Sequence, residues 1–273
     1  PLAWELKTLD AESINAVKGG VEFSGPYLTC YTINLESRVA SRVLWRIGHG
    51  RYRTEWDIYQ IAHGLPWPDW FSPQRTIRVN VAAIKSPLKS LDFATLRIKD
   101  AVCDVFRAAT RRRPDVDTRN PDVRIHAFLT ASEATLYLDT SGDPLFMRGY
   151  RTVTGEAPLR ENLAAGILRL SGWQPGIPLL DPMCGSGTFL TEAAMIAGNI
   201  APGANRSFGF EKLKCHDHKA WKELRRRVPA REESTMAQTI FGSDRNGDAL
   251  GRTRANLAAI GMKQLVRLQK ADV

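Results

Sequence analysis

The sequence predicts an α/β fold in more than one domain, and three observations carry the prediction. Stretches of alternating apolar residues, as in strands, recur between stretches with helical apolar spacing. The run Leu179 to Leu190 reads as a buried strand, a turn through Gly185 and Gly187, and a helix that begins at Thr188. Finally, 273 residues is the length of about two domains at roughly 150 residues each.

Taken in order, Leu2 to Leu9 reads as the tail of a helix and Gly19 to Phe23 as a strand after a turn. Leu28, Tyr31, Leu35, Val39 and Val43 fall at helical spacing, which predicts a helix over 28–43, with a strand over Tyr27 to Leu35 as the alternative. From about Gly48 the pattern changes. Trp56 to His63 reads as helix, and Thr76 to Ala82 as a strand with Ile77, Val79 and Val81 inward. Asp92 to Thr110 is a long amphipathic helix, predicted to bury Phe93, Leu96, Ala101, Val105 and Ala108. Val123 to Leu129 and Ala134 to Asp139 read as strands. Glu161 to Leu170 is a helix closed by Gly172 and the Pro175-Gly176 turn. Beyond Gly198, a basic stretch from Lys212 to Arg231 separates the glycine turn from the next strand, Thr239 to Asp244. A helix over Gly247 to Ile260 and a strand from Val266 to Val273 follow.

Composition narrows the classes. Apolar runs are interrupted by charges well short of membrane-spanning length. The amino terminus carries Trp4, Glu5, Lys7 and Asp10 where a leader would be basic and then apolar, so a cytoplasmic protein is expected. Four cysteines, Cys30, Cys103, Cys184 and Cys215, lie far apart, which speaks for reduced thiols and against a zinc ribbon. His216 and His218 fall on different faces of a helix and have no Cys/His cluster nearby, so no metal is expected. A net charge of +9, from 38 basic and 29 acidic residues, attracts polyanions in a salt-dependent way. Charge alone is equally consistent with a solvated surface.

The turn at 181–188 carries the chemistry. Glycines without a Cβ let a ligand approach the backbone, and the helix opening at Thr188 offers N–H groups and a positive dipole end to an anion. No lysine follows Gly187, which excludes a P-loop. Leu190 stands where a dinucleotide fingerprint needs its third glycine. Asp181 at the strand tip repels phosphate and attracts an ammonium group. A ligand with both an amine and a carboxylate fits, and S-adenosylmethionine is such a ligand. Cys184 invites a nucleophile reading, but no adjacent His or Lys activates it, and a small residue suits the turn.

Asp181-Pro-Met-Cys-Gly-Ser-Gly-Thr188 resembles motif I of amino-methylating S-adenosylmethionine enzymes. Gly142-Asp-Pro-Leu-Phe-Met-Arg-Gly-Tyr-Arg151 and the run from Ala157 to Trp173 extend the likeness to THUMP-containing RNA methyltransferases. Within them it points to the bacterial enzymes that methylate guanine N2 of large-subunit (23S) ribosomal RNA. Gly19-Gly-Val-Glu-Phe23, Ile98-Lys-Asp-Ala101 and Arg113-Pro-Asp-Val-Asp117 carry it along nearly the whole chain. The resemblance implies a ferredoxin-like remnant over 1–47, a THUMP domain over 48–147 that docks RNA, and over 148–273 the N-terminal half of a Rossmann-like class I methyltransferase sheet.

It also implies a site. Asp181, Pro182, Cys184, Gly185, Gly187, Thr188 and Phe189 would surround the cofactor, S-adenosylmethionine. Asp244, followed by Arg245, would take the ribose hydroxyls, or alternatively cap the next helix. Asp272 and Val273 would meet the adenine, unless Asp272 is a solvated carboxylate. Pro158, Leu159 and Glu161 to Leu163 would close over the methionine end. Lys99, Arg111, Arg112, Arg113, Arg148 and Arg151 are the candidate RNA contacts; for the triplet, the helix C-terminus offers the alternative. The family activates its amine with an Asn/Asp-Pro-Pro-Phe/Tyr segment after the fourth strand, and this sequence has none. The chain is therefore expected to be an N-terminal piece of a longer enzyme, inactive alone. A tRNA guanine-N2 enzyme, an adenine-N6 DNA enzyme and a non-catalytic RNA-binding protein remain as alternatives.

Overall fold

The computed structural model describes residues 1–151, 159–227 and 239–272. Pro158 and Val273, both expected at the cofactor, lie outside the described residues. The chain forms two compact units: Pro1–Ser41 with Pro144–Arg206 and His218–Val273, and Arg42–Asp143 with Ser207–Asp217.

The first unit opens with helix α1 (Leu2–Thr8) and an antiparallel hairpin of β1 (Glu12–Val17) and β2 (Gly20–Ser24). Strand β1 was not expected, because nearly all its side chains are exposed and no apolar alternation marks it. Helix α2 (Tyr27–Glu36) buries Tyr31, Ile33 and Leu35 and leaves Leu28 exposed. It stops well before Val43, the end the spacing predicts. The cause is Glu5, which is buried: its carboxylate accepts from Ser37 Oγ at 2.6 Å, Arg38 N at 2.9 Å and Val39 N at 3.2 Å. A buried carboxylate must be satisfied, and those N–H groups leave the helical ladder to do it.

The second unit contains β3 (Leu44–Arg51), helices α3 (Glu55–His63) and α4 (Trp67–Trp70), β4 (Ile77–Ala83), the long helix α5 (Leu91–Thr110), β5 (Val123–Leu129) and β6 (Glu133–Asp139). Its sheet runs β3-β6-β5-β4, with β4 and β5 parallel and the other pairs antiparallel. Thr54 and Asp57 cap α3 reciprocally. Helix α5 buries Ala94, Ile98, Ala101, Val102 and Phe106, and exposes Phe93 and Leu96. Of the expected inward face, Ala101 is buried and Val105 half-buried, while Phe93, Leu96 and Ala108 are exposed. This helix carries two apolar stripes, and contact with α3 and β4 selects one of them. Residues 207–217 pack on this unit: Phe210 N donates to Thr140 O at 2.9 Å and Lys214 N to Trp70 O at 2.7 Å.

The remaining elements belong to the first unit: α6 (Glu161–Leu170), β7 (Leu179–Asp181), α7 (Thr188–Ala197), α8 (His218–Arg227), β8 (Ile240–Asp244), α9 (Gly247–Ala259) and β9 (Val266–Lys270). Strands β7, β8 and β9 form a parallel sheet in that order. Strand β7 begins at Leu179, and Ile177 just before it is held in the preceding turn by Gln174 O and by the Trp173 indole N–H. Leu190, Ala193 and Ala194 of α7 pack with Leu250 and Leu257 of α9 and with Ile240 of the sheet. Among the described residues, no helix is long and apolar enough to cross a membrane.

Candidate cofactor-binding site

The turn between β7 and α7 is fastened to the next βα unit by polar contacts. Gly185 N donates to Asp244 Oδ2 at 2.9 Å, and Cys184 N to Ser243 O at 2.9 Å. Ser243 Oγ donates to Pro182 O at 3.1 Å. From α9, Thr253 Oγ1 reaches Gly185 O at 2.9 Å and Asn256 Nδ2 reaches Ser186 O at 3.0 Å. Sequence reading missed Thr253 and Asn256. Their signal was a pair of polar residues three apart, on the same helix side as Leu250 and Leu257.

Two glycines are conformationally required. At Gly187, with φ +73°, an added Cβ would strike Thr253, so the close approach of α7 and α9 depends on its absence. At Gly185, with φ +55°, no neighbouring protein atom lies within 4 Å of a Cβ position, leaving the backbone open to a ligand. Thr188 then opens α7, whose first N–H groups have no partner within the helix.

The acids lie close by. Burial raises the Asp181 pKa above its ordinary 3.8, the Met183 N–H opposes this, and the charge of Asp244 adds to the rise. A cation beside Asp181 would relieve that cost. Asp244 Oδ1 accepts from Asn246 N at 2.8 Å, while the cap of α9 is Asn246 itself, which accepts from Asp248 N and Ala249 N. The expected alternative, Asp244 as helix cap, is therefore filled by its neighbour. Arg245 is exposed, and Asp272 lies just beyond the end of β9. Burial pushes the Cys184 thiol up to about 11, with Asp181 adding to the shift, consistent with a packing residue. Phe189 is half-buried against the core.

The basic candidates divide. Arg111, Arg112 and Arg113 are exposed at the end of α5, and Lys99 pairs with Asp100. Arg148 is 3% exposed. It donates to Leu145 O at 2.7 Å and to Arg38 O, and stands 3.5 Å from Glu192, so it is not an RNA contact. Arg151 is also turned inward, 3.2 Å from Glu161 and 2.8 Å from Thr188 Oγ1. Both corrections have one reason: buried Glu192 and Glu161 need cationic partners. Among the described residues, no group of three or more His, Cys, Asp or Glu is placed to hold a metal ion.

A parallel sheet whose first βα turn is a glycine hairpin latched to the acid of the second strand defines an α/β domain of the methyltransferase class. Residues 148–273 match the RMKL-like methyltransferase domain, 52–139 the THUMP domain, and 1–44 the RlmL ferredoxin-like domain. A candidate methyltransferase, SMU.472, whose structure was solved complexed with SAH, is 32% identical with a TM-score of 0.88; the match covers 98% of this chain and 71% of that one. A protein from Listeria monocytogenes described as a predicted N6-adenine-specific DNA methylase is 28% identical, with a TM-score of 0.89 over 99% of this chain and 71% of its own. The ribosomal RNA large subunit methyltransferase K/L of Psychromonas ingrahamii is 42% identical over 98% of the chain. The chain belongs to the family of THUMP-containing, RMKL-like methyltransferases. It spans 36% of the length of the Psychromonas relative.

Proposed function

We propose that this chain is the RNA-docking and donor-binding part of an S-adenosylmethionine-dependent methyltransferase that modifies guanine N2 in 23S ribosomal RNA. Domain boundaries of 1–47, 48–147 and 148–273 are part of this reading, as is a cytoplasmic setting. The observation that carries it is the latch between Gly185 N–H and Asp244, which joins the open glycine turn to a strand-tip acid. The likeness to the Psychromonas enzyme supports ribosomal RNA as substrate. The THUMP match and the net positive charge support an RNA partner over duplex DNA.

The residues fit this cofactor. Space at Gly185 admits a ligand against the backbone, Asp181 favours a cationic group, and Asp244 can accept ribose hydroxyls with its remaining lone pairs. Thr188 and the start of α7 suit a carboxylate. When bound, the cofactor supplies a methyl group on positively charged sulfur, an electrophilic carbon. The chain's own part is to hold and orient: Thr253, Asn256 and Asp244 fix the turn before any ligand arrives, which limits the ordering cost of binding.

Calorimetric titration of the chain with S-adenosylmethionine tests the donor site, with saturable 1:1 binding expected; heats no larger than dilution would overturn it. For the substrate, ribosomal RNA from a strain lacking the full-length protein should lose one N2-methylguanine by mass spectrometry. An unchanged large-subunit RNA would end the ribosomal assignment.

A further inference from the structure

Arg151 touches the site without belonging to the turn. Its Nη2 donates to Thr188 Oγ1 at 2.8 Å and to Leu159 O at 3.2 Å, and its Nε stands 3.2 Å from Glu161 Oε1. One guanidinium thus joins the first residue of α7, the first residue of α6 and the backbone just before α6.

Two consequences follow from the chemistry of these groups. An arginine only donates, so Thr188 Oγ1 acts toward it as an acceptor and keeps its own proton for another partner. A hydroxyl held that way, at the start of a helix, is a donor suited to a carboxylate. The second consequence is electrostatic. Asp181 and Asp244 flank the turn, and a ligand carboxylate entering there meets their repulsion. Arg148 is engaged with Glu192 and backbone carbonyls, whereas Arg151 brings its charge to Thr188 itself. Glu161 balances part of that charge, and burial raises its pKa, while Arg151 opposes the rise.

We propose that Arg151 is a positioning residue for the aminocarboxylate tail of the donor, acting through the Thr188 hydroxyl and the segment that opens α6. The inference rests on the donor-site reading above. It predicts a discrimination that general stabilisation of the fold would not produce: the site should distinguish ligands by their tail.

The test compares two ligands on the 273-residue chain by calorimetry. S-adenosylhomocysteine carries the aminocarboxylate tail, and 5′-methylthioadenosine has the same nucleoside without it. Arg151→Gln should weaken S-adenosylhomocysteine by about 10- to 100-fold, the range of a hydrogen bond to a charged group. It should leave 5′-methylthioadenosine within about twofold, and Arg151→Lys should recover part of the loss. Thr188→Val, which keeps the shape and removes the hydroxyl, should show the same tail-selective loss and serves if Arg151→Gln does not fold. Equal weakening of both ligands, or no weakening of either, overturns the inference while leaving the donor site standing. Wild-type chain that binds neither ligand overturns the donor site itself.

Discussion

Arg111 to Arg113 and the pair Arg148 and Arg151 contribute alike to the net charge, yet the fold uses them differently. The triplet stands in solvent at the end of α5, where the helix dipole favours cations. Arg148 and Arg151 are folded inward against Glu192 and Glu161. The lesson is that a basic sequence does not count as a basic surface until the acids of the interior have taken their share. Solvent screens the first group and leaves its energies small. Burial makes the second expensive to disturb.

The largest effect should come from breaking the interior pair. Arg148→Ala removes the nearest cation from the buried Glu192 carboxylate and leaves it the Tyr150 hydroxyl at 3.4 Å and the weaker attraction of Arg38. The expected cost is about 3–5 kcal/mol, measurable by urea denaturation. A loss below about 0.5 kcal/mol, typical of surface changes, would erase the distinction between the two groups.

Next comes the latch. Asp244→Ala removes the acceptor of Gly185 N–H, and donor affinity should fall about tenfold, the size of one hydrogen bond at the upper end of its usual range. Thermal melts with and without S-adenosylhomocysteine separate lost affinity from lost stability.

A subtler effect is pH-dependent. The folded pKa of Asp181 lies above its ordinary 3.8, so the folded state holds this proton more tightly than the unfolded chain. Its contribution to stability is full below 3.8 and is lost as pH rises through the raised value. Donor affinity should move the opposite way, rising as the carboxylate ionises and attracts the ligand's ammonium group. Asp181→Asn should flatten both trends; an affinity profile unchanged by that substitution would remove Asp181 from the site.

The smallest stability effect belongs to the exposed triplet. Changing Arg111, Arg112 and Arg113 to Gln should alter stability by no more than about 0.5 kcal/mol. If they meet phosphates, the slope of log affinity against log salt for RNA should flatten by about one unit for each phosphate no longer neutralised. An unchanged slope would return the triplet to its local role at the helix end.

The glycine turn was legible because its information is local. Asp181, Gly185, Gly187 and Thr188 lie close together in the chain, and their turn, acid and helix onset must coincide wherever the segment sits. Helices α3, α7 and α9 were legible for the same reason, since capping and apolar period act over a few residues. Strand β3 was not. Its glycines and mixed side chains carry no alternation, and pairing with β6 alone makes it a strand.

By itself, then, the sequence determined the order of most strands and helices, the turn chemistry and the kind of ligand that turn can hold, because these follow from nearest-neighbour sterics and short periodicities. Tertiary structure alone decided which stripe of α5 is buried, where α2 ends, and that Thr253 and Asn256 close on the turn. It also decided which arginines face water. Each of those outcomes depends on a partner distant in sequence, and a buried charge or a packed face is satisfied only when that partner arrives.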